Sequence, residues 1–126
     1  MMFRHSYSAH DRREEATRIL SKYPDRIPII VERCPRCTLP ILRKRKYLCP
    51  ATMTIAEFMY VLRKQVTLHA SEAMFLLTDQ GTMATTASVL SDIYAKHADT
   101  DKFLYLQYSS ESTFGTFGAV RVGPPR

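Results

Sequence analysis

With 126 residues, 45% of them hydrophobic and 24% charged, the chain has the composition of one soluble globular domain that can bury a core without disulfides or metal. Its longest strictly apolar runs, such as Ala73 to Leu77, are too short to cross a bilayer, and Met1 to Glu15 lacks the apolar stretch of a signal peptide, so a cytoplasmic protein is expected. Three cysteines fit reduced thiols better than a disulfide framework, and the net charge of +6 gathers in Arg33, Arg36, Arg43, Lys44, Arg45 and Lys46, a stretch without an acid that ranks partners as acidic.

Asp11 to Tyr23 sets Ala16, Ile19, Leu20 and Tyr23 at helical spacing among charged neighbours, which predicts an amphipathic helix ended by Pro24. Ile27 to Val31 is short, apolar and rich in β-branched residues, and reads as a strand with Pro28 near its start. Arg45 to Cys49 reads as its antiparallel partner. The intervening Cys34-Pro35-Arg36-Cys37-Thr38-Leu39-Pro40 is turn-rich, so a long, exposed, basic connection is expected. Thr54 and Glu57 have the spacing of a capping box, opening a helix whose apolar face is Ile55, Phe58, Met59, Leu62 and Val66. Ala73 to Leu77 reads as a buried strand, Thr78 to Thr82 as a turn around Gly81, Thr86 to His97 as a helix and Phe103 to Tyr108 as a last strand.

After the first helix the order is strand, strand, helix, strand, helix, strand, which is that of a β-grasp domain. This is an α+β architecture in which one mixed four-stranded sheet packs on the long helix in two layers. Residues 1–23 are expected to form a helical extension packed on the core, 24–108 the β-grasp domain and 109–126 a flexible tail whose apolar residues follow no period. The tail carries Thr113-Phe114-Gly115-Thr116-Phe117-Gly118. A glycine there is either part of an ordinary frayed end or a handle, because a residue without a side chain threads into an enzyme channel too narrow for any other.

Cys34 and Cys37 are spaced for zinc or redox chemistry, but no second Cys or His pair completes a four-ligand site, so two reduced surface thiols are expected. His5, His10, His69 and His97 are scattered, and Gly81, Gly115, Gly118 and Gly123 build no phosphate-cradling loop, so no catalytic group, metal or cofactor is assigned. The run Arg43 to Tyr47 has the composition of a nucleic-acid contact, since cations neutralise phosphates and an aromatic stacks on bases. It also abuts Leu48, Cys49, Pro50 and Met53, and an apolar group beside cations on an edge strand suits capture of an extended acidic peptide.

Several segments in this order resemble the ubiquitin-like autophagy modifiers related to GABARAP and the microtubule-associated light chains. They are Arg26-Ile27-Pro28-Ile29-Ile30, Lys44 to Ala51, Phe58 to Lys64, and Phe103 to Tyr108 followed by Glu111 and Thr113-Phe114-Gly115. The resemblance implies a ubiquitin-like β-grasp core with N-terminal helices. It implies that a cysteine endopeptidase recognises Phe114 and cuts between Gly115 and Thr116, and that the freed Gly115 carboxylate passes through activating and conjugating enzymes to phosphatidylethanolamine. The modifier, a monomer when soluble, then recruits cargo receptors and adaptors to autophagosomal membranes. Their short motifs carry an aromatic residue and, three positions on, an aliphatic one. Glu15, Ile19, Pro28, Ile30, Lys46, Leu48 and Phe103 match the aromatic pocket, and Tyr47, Cys49, Pro50, Met53, Phe58 and Val61 the aliphatic one, with Phe58 and Val61 equally readable as core. Arg26, Lys44, Lys46 and Arg63 would meet acids flanking the motif.

The chain departs from the pattern at Cys49, which replaces a β-branched aliphatic, at Gln65, where a third base is frequent, and around Gly81, where the loop is one residue longer. Cys34 and Cys37 have no counterpart in the pattern, and Gly118 offers a rival cleavage position that the spacing from Phe103 disfavours. Two other readings compete. One is an unconjugated basic β-grasp module that binds RNA or an acidic cytoskeletal surface through Arg43 to Lys46, and the other a zinc or thiol switch at Cys34 and Cys37.

Overall fold

The computed structural model describes residues 2–66 and 73–110. Phe114, Gly115 and Thr116 lie outside the described residues. In chain order the elements are α1 (Phe3–Ser6), α2 (Ala9–Lys22), β1 (Arg26–Arg33), β2 (Lys46–Pro50), α3 (Ile55–Arg63), β3 (Phe75–Thr78), α4 (Leu90–His97) and β4 (Leu104–Ser109). The strands form one mixed sheet in the order β2-β1-β4-β3, with β1 antiparallel to β2, parallel to β4, and β3 antiparallel to β4.

The local signals in the sequence account for most of these elements. Ser8 caps α2 by accepting from the Asp11 N–H at 3.0 Å. Thr54 and Glu57 form the full capping box of α3, with Glu57 N–H donating to Thr54 Oγ1 at 3.2 Å and Thr54 N–H to Glu57 Oε1 at 2.9 Å. Gly81, with φ at 84°, turns the chain back after β3, where only a residue without Cβ is unstrained.

β1 is buried from Ile27 through Val31, the continuous apolar run expected of a strand covered on both faces. Ile27, Ile29 and Val31 belong to the main core, together with Ile55, Phe58 and Leu62 of α3 and Leu90 and Ile93 of α4. Ile30 turns to the other face, where it packs with Phe103, Tyr105, Ala16 of α2 and Phe3 of α1. The arrangement therefore has three layers, not the two expected, because the sheet has two apolar faces and each requires a cover. The small side chain of Ala16 lets α2 lie close to the sheet.

Two further expectations are corrected. The helix foreseen from Thr86 starts at Leu90. The preceding residues form a turn and a β-bridge, and their backbone serves α3: Ile55 N–H donates to Ser88 O at 2.8 Å and Ala56 N–H to Thr86 O at 3.1 Å. These bonds satisfy donors that a helix start leaves orphaned.

The connection between β1 and β2 is not an exposed loop with surface thiols. Cys34, Cys37, Leu39 and Leu42 are all buried and join the main core, and all three cysteines are free. Cys37 N–H bonds Cys34 O at 3.0 Å, closing a turn, and Leu39 N–H donates to Cys37 Sγ at 3.3 Å. Tyr108 donates its hydroxyl to Pro40 O at 2.7 Å and accepts from Leu42 N–H at 3.1 Å. Small apolar thiols and leucines let this segment fold inward, and a tyrosine 66 residues away supplies the polar partners its backbone needs.

Candidate functional site

Among the described residues β2 has a single neighbour, β1, which leaves one edge of its backbone for another strand. The register pairs Pro28 with Leu48, Ile27 with Cys49, Ile29 with Tyr47 and Ile30 with Lys46. Side chains alternate across a strand, so Tyr47 and Cys49 face the α3 side with the main core, whereas Lys46 and Leu48 face the α2 side.

On the α2 side, Lys46 Nζ lies 2.6 Å from Glu15 Oε2 and 5.8 Å from the ring centre of Phe3. Ile19 is half-buried against the second cluster, Leu48 is half-buried and Pro28 buried. Ile30 at 0% and Phe103 at 1% exposure are sealed beneath α1 and α2. The reachable surface is therefore Glu15, Ile19, Lys46 and Leu48, with Ile30 and Phe103 as its support.

On the α3 side, Tyr47 stacks edge to face on Phe58, with ring centres 5.4 Å apart, and donates to Lys44 O at 2.9 Å. Phe58 has no exposed surface and belongs to the core, while Met53 and Val61 are half-buried and Pro50 is exposed. Cys49 is buried, and desolvation pushes its thiol from an ordinary 9.0 to about 11, against the opposing pull of Lys44 and Arg26. It is a packed apolar group at neutral pH, not a nucleophile. Burial raises the Tyr47 hydroxyl as well.

Cations stand at both ends of the edge. Lys44 and Lys46 lie at the start of β2, with Lys44 Nζ 5.1 Å over the Tyr47 ring, and Arg26 pairs in register with Pro50 at its end. Arg63 closes α3, half-buried. The structure thus brings every described candidate to β2, to its neighbour β1 or to the segments packed beside them, with Pro28, Ile30, Tyr47, Cys49, Phe58 and Phe103 buried.

The sequence reading missed the groups that hold the N-terminal helices over this site. Arg12 donates to Asp101 Oδ2 at 2.6 Å, Tyr105 donates to the same oxygen, and Phe103 N–H bonds Asp101 Oδ1 at 2.9 Å. The Arg4 guanidinium binds Asp79 and Asp99 at 2.8 and 2.9 Å and stacks 3.7 Å over the Tyr105 ring. Burial and the shared carboxylate hold the Tyr105 hydroxyl well above its ordinary range. Phe3, on a four-residue helix with no periodicity to reveal it, covers the second core cluster and lies beneath Arg45 and Lys46. No helix among the described residues is long and apolar enough to cross a membrane.

Comparison with known proteins fits this arrangement. A family model described as autophagy protein Atg8, ubiquitin-like, matches residues 11–115. Autophagy-related protein 8d of Arabidopsis thaliana is 44% identical over 115 residues, covering 91% of this chain and 95% of that protein. Autophagy-related protein 8 of Dictyostelium discoideum is 45% identical over 114 residues, 90% of this chain and 93% of that one. Among solved structures, Trypanosoma brucei ATG8 superposes with a TM-score of 0.81 at 36% identity, covering 91% of this chain and 98% of that chain. Plasmodium falciparum Atg8, solved in complex with a Plasmodium falciparum Atg3 peptide, gives 0.79 at 32% identity, covering 90% and 98%. With a mixed β-grasp sheet, two N-terminal helices on its far face and a family match over most of its length, this chain belongs to the Atg8 family of ubiquitin-like autophagy proteins.

Proposed function

We propose that this chain is the substrate of a conjugation pathway and a peptide-docking module on autophagosomal membranes. The observation that carries the reading is that the family match runs to residue 115, the glycine of Phe114-Gly115. A cysteine endopeptidase cuts the Gly115–Thr116 bond, with Phe114 as its recognition residue. The new Gly115 carboxylate attacks the α-phosphate of ATP and pyrophosphate leaves; a cysteine thiolate of the activating enzyme then attacks the acyl adenylate, and AMP leaves. The acyl group passes to a cysteine of the conjugating enzyme. Finally the amine of phosphatidylethanolamine attacks the thioester, the thiol leaves and an amide remains. All the catalytic cysteines belong to the partners, and the two acyl chains gained hold a soluble monomer stably on a membrane.

Peptide docking is supported by the geometry of β2. In an added extended strand, residues three positions apart point to opposite faces, because three is odd. An aromatic residue then meets Glu15, Ile19, Lys46 and Leu48, and the aliphatic residue meets Tyr47, Cys49, Pro50, Met53 and Val61, while backbone bonds form along the open edge. Arg26, Lys44, Lys46 and Arg63 attract flanking acids. The bound Atg3 peptide of the Plasmodium falciparum relative makes a conjugating-enzyme segment one candidate ligand.

The test is the intact mass of the protein recovered from cells. A species ending at Gly115, free and with phosphatidylethanolamine attached, is expected, and Gly115→Ala should abolish both. Attachment that persists in that variant, or a terminus at Gly118, overturns the assignment.

A further inference from the structure

The connection between β1 and β2 carries features that peptide docking does not use. From Arg33 to Lys46 the sequence holds no acid, and Arg36, Arg43 and Lys44 are exposed. Ile41 is 71% exposed although Leu39 and Leu42 beside it are buried. A lone exposed aliphatic is ordinary, but this one is held outward by backbone anchors on both sides. Arg33 donates to Leu39 O at 2.9 Å, and Tyr108 bonds both Pro40 O and Leu42 N–H. Arg33, Arg43 and Arg45, with Val31, Ile41 and Leu42, line a groove of about 510 Å³ that also holds one acid, Glu32, 3.5 Å from Arg45. Guanidinium forks match the geometry of phosphate and carboxylate oxygens. A projecting aliphatic beside exposed cations is the composition of a surface that sits at the boundary of an anionic bilayer.

The position of the C-terminal end of β4 selects the membrane over other acidic partners. Tyr108 pairs with Arg33, its carbonyl accepts from Cys34 N–H at 2.9 Å, and β4 closes at Ser109, one residue before Ser110. Gly115 follows five residues further on, a distance that an extended chain spans in at most about 17 Å. A lipid attached there keeps the β1–β2 connection within reach of the headgroups.

We infer that this connection is the face on which the conjugated domain rests on its own membrane, with Ile41 entering the headgroup boundary and Arg36 and Arg43 binding anionic lipid phosphates. The inference rests on conjugation at Gly115 as proposed above, and its test does not require it. The unconjugated full chain is floated with vesicles of phosphatidylcholine alone or with about a third phosphatidylserine. Recovery should be at least about fivefold higher on the anionic vesicles and should collapse in about 0.5 M salt. Arg36→Glu with Arg43→Glu should bring recovery to the neutral-vesicle level. Ile41→Ser should lower it about threefold, and Ile41→Trp should raise it.

All these side chains are exposed, and an unchanged melting curve confirms that each variant folds. Lys22→Glu with Lys96→Glu makes the same change in net charge on α2 and α4 and should leave recovery near wild type. Equal loss in that control, unchanged recovery in the Arg36/Arg43 variant, or displacement from vesicles by a polynucleotide at equal phosphate concentration overturns the inference. A lipid adduct at Gly115 together with unselective flotation refutes this surface and leaves the proposed function standing. Absence of any adduct removes the tether and the inference with it.

Discussion

Lys46 on the edge strand and Glu15 on α2 form an ion pair of 2.6 Å across the surface between β2 and α2. Half the Lys46 side chain remains exposed, so water and salt screen the pair and its coupling should be small, at most about 1 kcal/mol in a double-mutant cycle. Its importance is positional. It holds a cation beside Leu48, where the acidic peptide proposed above would begin to pair.

Lys46→Ala and Leu48→Ala should each weaken a peptide carrying an aromatic residue, an aliphatic one three positions on and flanking acids, by roughly 5- to 30-fold. Lys96→Ala, on exposed α4 surface, should change affinity less than about twofold. The Lys46 effect should shrink as salt rises while the Leu48 effect persists. Titration calorimetry at two ionic strengths separates them, and equal losses at all three positions would sink the pocket assignment.

The buried Arg12–Asp101 pair is a sharper test of what holds the N-terminal layer. Asp101 is 3% exposed and receives Arg12, Tyr105 and the Phe103 amide, so Asp101→Ala strands a guanidinium and a hydroxyl together. The expected loss is about 3–5 kcal/mol in urea unfolding. Amide exchange should rise in α1 and α2 more than in α3.

Cys49 gives a pH prediction. Its thiol is raised in the folded state from 9.0 to about 11, so folding holds the proton more tightly than the unfolded chain does. The associated stability is complete below about pH 9 and is lost as pH rises towards 11. Tyr47, Tyr105 and Tyr108 are raised by burial too and act in the same direction, so Cys49→Val is the informative comparison: its melting temperature should fall less steeply over that range. At pH 8 the native thiol should alkylate about 100-fold more slowly than an ordinary cysteine, from thiolate fraction alone. Rapid alkylation of native Cys49 would contradict the packing described.

Tyr108→Phe removes the hydroxyl that joins Pro40 O and Leu42 N–H. Leaving both groups without that partner should cost about 1–3 kcal/mol. Exchange should increase from Cys34 to Leu42 while the β1–β4 pairing stays protected. If the variant were as stable as the wild type, the connection would not depend on that anchor, and the fixed outward direction of Ile41 would lose its explanation.

Local chemistry made much of the fold legible. Thr54 and Glu57 announced α3, Pro24 ended α2 within two residues, and the β-branched run at Ile27 to Val31 marked the central strand. The resemblance named the edge-strand residues Lys46 to Pro50, and they do lie on an edge. Thr86 to Val89 looked helical by spacing, but the Thr86 and Ser88 carbonyls are claimed by the first turn of α3, a tertiary demand that no window of sequence contains. Cys34 and Cys37 looked like surface thiols because charge and proline surround them. They are buried because Tyr108 offers the connection a hydrogen-bonding partner that spacing cannot foresee.

The sequence by itself therefore determined the order of elements, the basic edge and the glycine at which the family match ends, because periodicity, capping and segment identity are properties of neighbouring residues. Only the tertiary structure decided which candidates are reachable. Burial is set by what packs from elsewhere in the chain: α1 and α2 seal Ile30 and Phe103, the sheet seals Phe58, and a fold in the β1–β2 connection turns two cysteines inward and one isoleucine out.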